Sequence, residues 1–261
     1  MKNGKFGRHR GERSARRHSF SWVRSTTTTP LTSSPVLQPQ ESLPPSLDFS
    51  RILIVGAGGF GREVIAWARD AWPEHSGKIA GFLSRESRTT SPGLSGLEYL
   101  GDPEDFTPAP DDALLHAIGI PLVRRCVAER LLQKGGRFLT LIHPTATVAD
   151  SAAIGLGSVI CPNCIVSADA VVGRFTLMNY YSSIAHDACT GDFSVLSPYA
   201  SLGGSARIGD DVFLGMHATV GPSRNVGSRT KISAQSCALS DVPVDSIVYG
   251  VPGRIAPRVS L

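Results

Sequence analysis

Between residues 142 and 232 the aliphatic side chains return every sixth position. Val148, Ile154, Ile160, Val166, Val172, Met178 and Ile184 lead to Leu196, Leu202, Ile208, Leu214, Val220, Val226 and Ile232, with Thr190 the one sixth position that is not apolar. An amphipathic helix needs an apolar residue every three to four positions and a half-buried strand every second one, so a period of six sustains neither. The position after each anchor is often Gly (Gly155, Gly173, Gly191, Gly203, Gly209, Gly215, Gly221, Gly227), and the fourth is small or β-branched, as at Ala152, Ser158, Thr176, Ala206 and Ala218. Only Arg224 breaks that rule. An internal repeat of this regularity predicts a solenoid, and hexapeptides predict a parallel β-helix in which three repeats close one triangular coil. The repeats from 143 to 238 then make a little over five coils, with anchors inside, small residues filling the remaining interior and the residue after the anchor turning the corner.

Before the repeats, residues 50–140 change period. "RILIV" reads as a buried strand, "GAGGFG" as a turn, "REVIAWARDAW" as an amphipathic helix, and "KIAGFLS" and "ALLHAIG" as two more strands. "PLVRRCVAERLLQKG" is a second helix stopped by Gly135 and Gly136, and "RFLTLIH" leads out of it. This is a small Rossmann-like α/β domain, followed by the β-helix at 141–257. Residues 1–48 show no periodicity. They are basic and then rich in Ser, Thr and Pro, a composition that cannot bury enough to offset its ordering entropy, and they are expected to be a disordered tail.

Charge follows the same division. Residues 1–24 hold eight Lys or Arg against Glu12 alone, and the rest of the chain carries 18 basic and 21 acidic residues. The folded body is therefore mildly acidic, which argues against a nucleic-acid partner. No apolar run reaches membrane-spanning length. Five cysteines in 261 residues do not form a disulfide framework and suit a reducing compartment, the cytoplasm. "CPNC" has the spacing of a zinc or redox pair, but the repeat places Cys161 at a corner and Cys164 inside, and no second pair completes a site. His143, His186 and His217 are separated by distances that are not whole coils, so no shared metal is expected.

Four stretches, "ILIVGAGGFGREV", "LIHPTATV", "SSIAHDACTGDFSVLSPYASLGGSARIG" and "YGVPGRIA", together resemble the left-handed β-helix acyltransferases. The resemblance is to the sialic-acid O-acetyltransferase type, which includes bacterial N-acetyltransferases of nucleotide-linked 4-amino sugars. It covers residues 50–257. It implies a nucleotide-sugar acceptor held by the first domain, acetyl-CoA as co-substrate along the β-helix, no metal, and a homotrimer with sites between subunits. Carried over residue by residue, it implies that Gly58, Gly59 and Phe60 line the acceptor pocket, with Ser84, Arg85, Gly119 and Asn179 nearby. His186 and Asp187 become the catalytic pair, and Val195, Gly204, Met216 and Ala234 the acetyl-CoA contacts. Relatives often carry His in place of Phe60 and acidic residues in place of Ser84 and Arg85, which points to a different sugar or base here.

The residues themselves are consistent with this chemistry. A glycine loop between strand and helix lets backbone N–H groups approach a phosphate. A dinucleotide-binding fold would place an acid about 20 residues further on, where "FLSRES" has none at Leu83, Ser84 or Arg85. His186 lies on a coil surface with no packing duty, beside a carboxylate that orients the ring, as a general base requires. The expected activity is acetylation of a nucleotide-linked (UDP-, GDP- or dTDP-) amino sugar in surface-glycan biosynthesis. O-acetylation of sialic acid or another sugar, and a catalytically silent sugar-nucleotide-binding solenoid, are the alternatives.

Overall fold

The computed structural model describes Met1, Val36–Leu37, and residues 49–87 and 92–258, and everything below concerns the unit Ser34–Leu261. The expectation of a disordered tail falls, but for Met1 and Val36–Leu37, outside the described residues. Val36–Leu37 pairs antiparallel with Ala153–Gly155.

The first domain is a five-stranded parallel sheet. Its strands are β1 (Arg51–Val55), β2 (Ile79–Leu83), β3 (Glu98–Tyr99), β4 (Asp112–His116) and β5 (Arg137–Phe138), in the order β3-β2-β1-β4-β5. Helix α1 (Gly59–Ala71) follows β1, and α2 (Pro121–Gln133) follows β4. Ile52, Leu53, Ile54 and Val55 are fully buried, as a central strand covered on both faces requires. Helix α1 begins three residues before the expected Arg62, so the end of the glycine loop is its first turn. Gly56 must be glycine twice over. Its φ is +112°, and a Cβ there would lie 2.8 Å from the Ala117 carbonyl oxygen.

The second domain is the expected left-handed parallel β-helix. Parallel partners lie 18 residues apart: Leu141, Val159, Leu177, Val195, Phe213 and Lys231 stack on a first face. Thr147, Ile165, Ser183, Ser201, Thr219 and Cys237 form the second face, and Ala153, Val171, Cys189, Arg207 and Asn225 the third. Lys231 then pairs with Ile247 after only 16 residues, and Ser246–Tyr249 turns back antiparallel on Arg254–Pro257. Every anchor from Ile154 to Ile232 is buried. The exceptional Thr190 is buried too. Its hydroxyl accepts from the Gly173 N–H at 2.9 Å and lies 3.3 Å from Thr176 Oγ1, so the interior polar group is satisfied. Arg224 stays out of the interior and reaches Asp241 at 3.8 Å.

The corners differ from expectation. The residue after the anchor does not make the left-handed turn. The third residue does, with φ between +52° and +62° from Asn163 through Gln235 at every sixth position. Most of these are not glycine. From Phe175 onward the N–H of each donates to a carbonyl of the coil below, as from Tyr181 to Pro162 or from His217 to Pro198, while those of Asn163 and Asp169 donate to the Thr145 and Ser151 hydroxyls, and these bonds offset the cost of αL. The glycines after the anchors serve another purpose. Gly155, Gly173, Gly191, Gly209 and Gly227 line one edge, where a Cβ would run into the main chain of the next coil.

The α/β domain covers the first face, whose outward residues Leu141, Val159, Leu177 and Val195 are all buried. Helix α1 meets it through Trp67 against Tyr180, at 6.5 Å between ring centroids. Helix α2 meets it through a fully buried Arg124, whose Nε donates to the Phe175 carbonyl at 2.6 Å and whose guanidinium also donates to the Ile118 and Gly157 carbonyls. Burial pushes Arg124 down to about 9. Beside it, Arg125 grips Asp211 through two bonds of 2.9 and 3.0 Å and lies over the Phe193 ring.

Candidate functional site

Besides those along the first–second edge of the β-helix, the site residues form two groups on different sides of the molecule. The first lies on the α/β domain. Gly58, Gly59 and Phe60 follow β1, Ser84 and Arg85 follow β2, and Gly119 follows β4, all at the carboxyl ends of the strands where the sheet order reverses at β1. Open α/β sheets bind ligands in that crevice. Gly58 caps α1 without any side-chain bond, and no acidic residue occupies the first turn, so the N–H groups there are left to an anion. A Cβ on Gly58 or Gly119 would meet nothing within 4 Å, so the space before both is open. Arg85 Nη2 bonds Glu104 at 2.8 Å, at the rim of a cleft of about 250 Å³ walled by Leu122, Val123, Cys126 and Arg130 of α2. The sequence alone did not single out that cleft, because it joins a loop after β3 to a helix of no marked motif.

Asn179, Met216 and Ala234 lie on the edge between the first and second faces, which adjoins α1. Met216, 55 % exposed, stands two coils above Tyr180, and the exposed Ala234 stands three coils above it. Val195 lies on the first face. Its side chain is 3 % exposed beneath the α/β domain and its N–H is spent on the Val212 carbonyl, so it packs the domain junction and offers no contact to a ligand on the surface.

The second group occupies the edge between the second and third faces. His186 Nδ1 lies 2.8 Å from Asp187 Oδ2, both side chains being well exposed. The adjacent pair works because Asp187 is the αL corner residue, φ +59°, which turns its carboxylate toward the preceding ring. With Nδ1–H donating to the carboxylate, Nε2 carries the lone pair. Gly204, one coil on, lies against that atom: a Cβ there would be 2.6 Å from Nε2. At the third–first edge the equivalent N–H groups are taken by side chains, from Arg174 to Asp192 and from Asp192 to Asp210. At Gly204 the next coil supplies Pro222, which has no acceptor side chain, and among the described residues no group takes that N–H. His186 and Gly204 therefore stand on successive coils of the same edge.

The cysteine pair is structural. Cys161 and Cys164 are fully buried, burial pushes the Cys164 thiol up to about 11, and its Sγ donates to the Asn179 carbonyl. Among the described residues no cluster of His, Cys, Asp and Glu is placed to hold a metal ion, and no helix is long and apolar enough to cross a membrane.

Sequence reasoning also missed a ladder of exposed rings on the first–second edge. Tyr181 and Tyr199 stack at 5.0 Å and Tyr199 and His217 at 4.7 Å, each pair within 6° of parallel. Their spacing of 18 residues was the available signal, since one coil later means directly above.

Residues 51–131 match the PglD N-terminal domain family. The chain is 38% identical over 116 residues to UDP-N-acetylbacillosamine N-acetyltransferase of Bacillus subtilis, a match spanning 42% of this chain and half the length of that relative. Among solved structures, the acetyltransferase domain of PglB from Neisseria gonorrhoeae superposes with a TM-score of 0.70 at 28% identity, over 79% of this chain and 100% of the other. A variant of GDP-perosamine N-acetyl transferase from Caulobacter crescentus, in complex with CoA and GDP-perosamine, gives 0.68 at 26% identity, over 79% and 96%. Residues 51–131 thus match the PglD N-terminal domain family, and the chain resembles a PglD-like sugar N-acetyltransferase across both of its domains.

Proposed function

We propose that the protein is an acetyl-CoA-dependent acetyltransferase that N-acetylates a nucleotide-linked amino sugar in surface-glycan biosynthesis. The observation that carries this reading is the His186–Asp187 pair, with Nε2 over Gly204. The acceptor nitrogen attacks the thioester carbonyl while Nε2 takes its proton, and Asp187 holds the ring and stabilises the imidazolium. The Gly204 N–H supports the oxyanion, and collapse of the tetrahedral intermediate releases CoA. The acceptor's pyrophosphate lies at the start of α1, with Gly58, Gly59, Phe60, Ser84, Arg85 and Gly119 around the nucleotide and Asn179 toward the sugar. Met216 and Ala234 lie along acetyl-CoA. The similar structures that hold CoA, acetyl-CoA and GDP-perosamine support both substrate classes.

The working form is a homotrimer with its sites between copies, in the cytoplasm. His186 sits on the edge opposite the face that carries the α/β domain, so an acceptor anchored on that domain reaches a base only on another copy. The test is turnover of purified protein with acetyl-CoA and UDP-, GDP- and dTDP-linked amino sugars, following free CoA and acetylated product. His186→Ala should keep its mass and fold and lose about 10²–10⁴ in kcat. Loss within a few-fold, or acetylation of free sialic acid in preference to every amino sugar, would replace the reading.

A further inference from the structure

The ring ladder gives the proposed site a wall. Aromatic contacts run without a break from the glycine loop to the first–second edge. Phe60 meets Trp67 at 6.0 Å, Trp67 meets Tyr180 at 6.5 Å, and Tyr180 touches both Tyr181 and Tyr199 at 6.3 Å. Tyr181 and Tyr199 remain 51 % and 45 % exposed, although Tyr199 is stacked on both faces and Tyr181 on one, so ring edges and hydroxyls are presented outward. They also stand at a particular height. In a ring whose symmetry axis runs along the β-helices, equal coil heights meet. His186 follows Tyr181 by five residues in an 18-residue coil and precedes Tyr199, so it lies between the two tyrosines in height. Met216 and Ala234 stand on the same edge, about 8 and 13 Å higher at roughly 4.8 Å per coil.

We infer that Tyr181 and Tyr199 are acceptor-specificity residues acting in trans: the ladder of one copy walls the acceptor sugar at the His186 of its neighbour. The inference rests on the proposed composite site. Its chemistry is that of a polar, partly apolar ring. Tyrosine edges and hydroxyls give hydrogen bonds to sugar hydroxyls and an apolar border, in a position fixed by stacking along the Tyr181–Tyr199–His217 ladder. A nucleotide-linked sugar anchored at α1 has this row of rings as its path to the edge.

The experiment has two arms on full-length protein, with the oligomer mass measured by light scattering in each. In the first, Tyr181→Phe and Tyr199→Phe keep the ring and remove the hydroxyl. Each should raise the acceptor KM about five-fold, as loss of one neutral hydrogen bond does, and leave the acetyl-CoA KM unchanged. In the second, Tyr181→Ala/Tyr199→Ala protein, expected to lose at least about 30-fold in kcat/KM for the acceptor, is co-assembled with His186→Ala protein. Mixed rings contain interfaces that join an intact ladder to an intact base, so activity should rise well above the sum of the parents. An unchanged acceptor KM in both Phe variants, or no rise in mixed rings of confirmed trimer mass, overturns the inference and leaves the composite site standing. A monomer mass for the active wild-type protein overturns the composite site itself.

Discussion

At the scale of single residues, two neighbours of the His186 ring, Asp187 and Gly204, each make a separate prediction. Asp187 fixes the ring from Nδ1, so Asp187→Asn should lower kcat by less than His186→Ala, because the carboxylate orients and stabilises without taking the proton. Steady-state kinetics of the two variants side by side checks the order. Gly204 touches the ring from the coil above. A methyl at Gly204 would lie 2.6 Å from Nε2, the far end of a side chain free to swing aside. Gly204→Ala should therefore fold with little change in melting temperature and lose on the order of 10²-fold in kcat, the cost of moving a reacting group by about 1 Å. Equal activity would mean that the ring is not where the chemistry happens.

At the scale of elements, the hexapeptide period made the coils legible, and the helix and strands around "GAGGFG" followed from ordinary patterning. Other features left no mark on residue type. The αL corners are occupied by Asn, Asp, Phe, Tyr, Ser, His, Arg and Gln alike, because a bond from the corner's N–H to the coil below sets the conformation whatever the side chain. The burial of Val195 was illegible for a different reason: within the repeat it points outward, and only the docked α/β domain covers it. Gly173 and Gly58 look alike in sequence and differ in space. Gly173→Ala puts a methyl into the main chain at Gly191 and should cost roughly 1–3 kcal/mol. Gly58→Ala meets nothing and should leave the melting temperature within a degree or two.

The junction between α2 and the coils carries a prediction about pH. His116 is fully buried, its Nε2 bonds the Arg124 carbonyl at 3.0 Å, and its Nδ1 faces the Ile118 N–H and the Arg124 guanidinium. A second proton has no place at Nδ1, and burial, with Arg124 alongside, holds the imidazole well below the ordinary histidine value of 6.5. As pH falls below about 6.5 the unfolded chain takes up a proton that the folded chain refuses, so stability present above that value is lost below it. His116→Gln keeps a donor and an acceptor and does not titrate. Denaturant midpoints compared at pH 7.5 and 5.0 should fall less in the variant than in the wild type. Arg124→Leu strands the Phe175 and Ile118 carbonyls and should cost roughly 3 kcal/mol, read as a large drop in melting temperature.

At the scale of the whole molecule, the proposed site exists only when copies meet, so specific activity should fall on dilution in step with the oligomer mass. Proportional activity down to concentrations where the protein is monomeric would contradict it. Within one copy, Arg124 ties the α/β domain to two successive coils and to the loop before Gly119, and leaves no hinge between them. If the start of α1 holds the acceptor's pyrophosphate as proposed, that anchor and the coils are at a set separation, and the molecule would act as a gauge. An acceptor is judged by its length as well as by its groups. A sugar carrying its amine one carbon nearer to the pyrophosphate, or one residue further from it, would bind as tightly through its nucleotide and present nothing to the base.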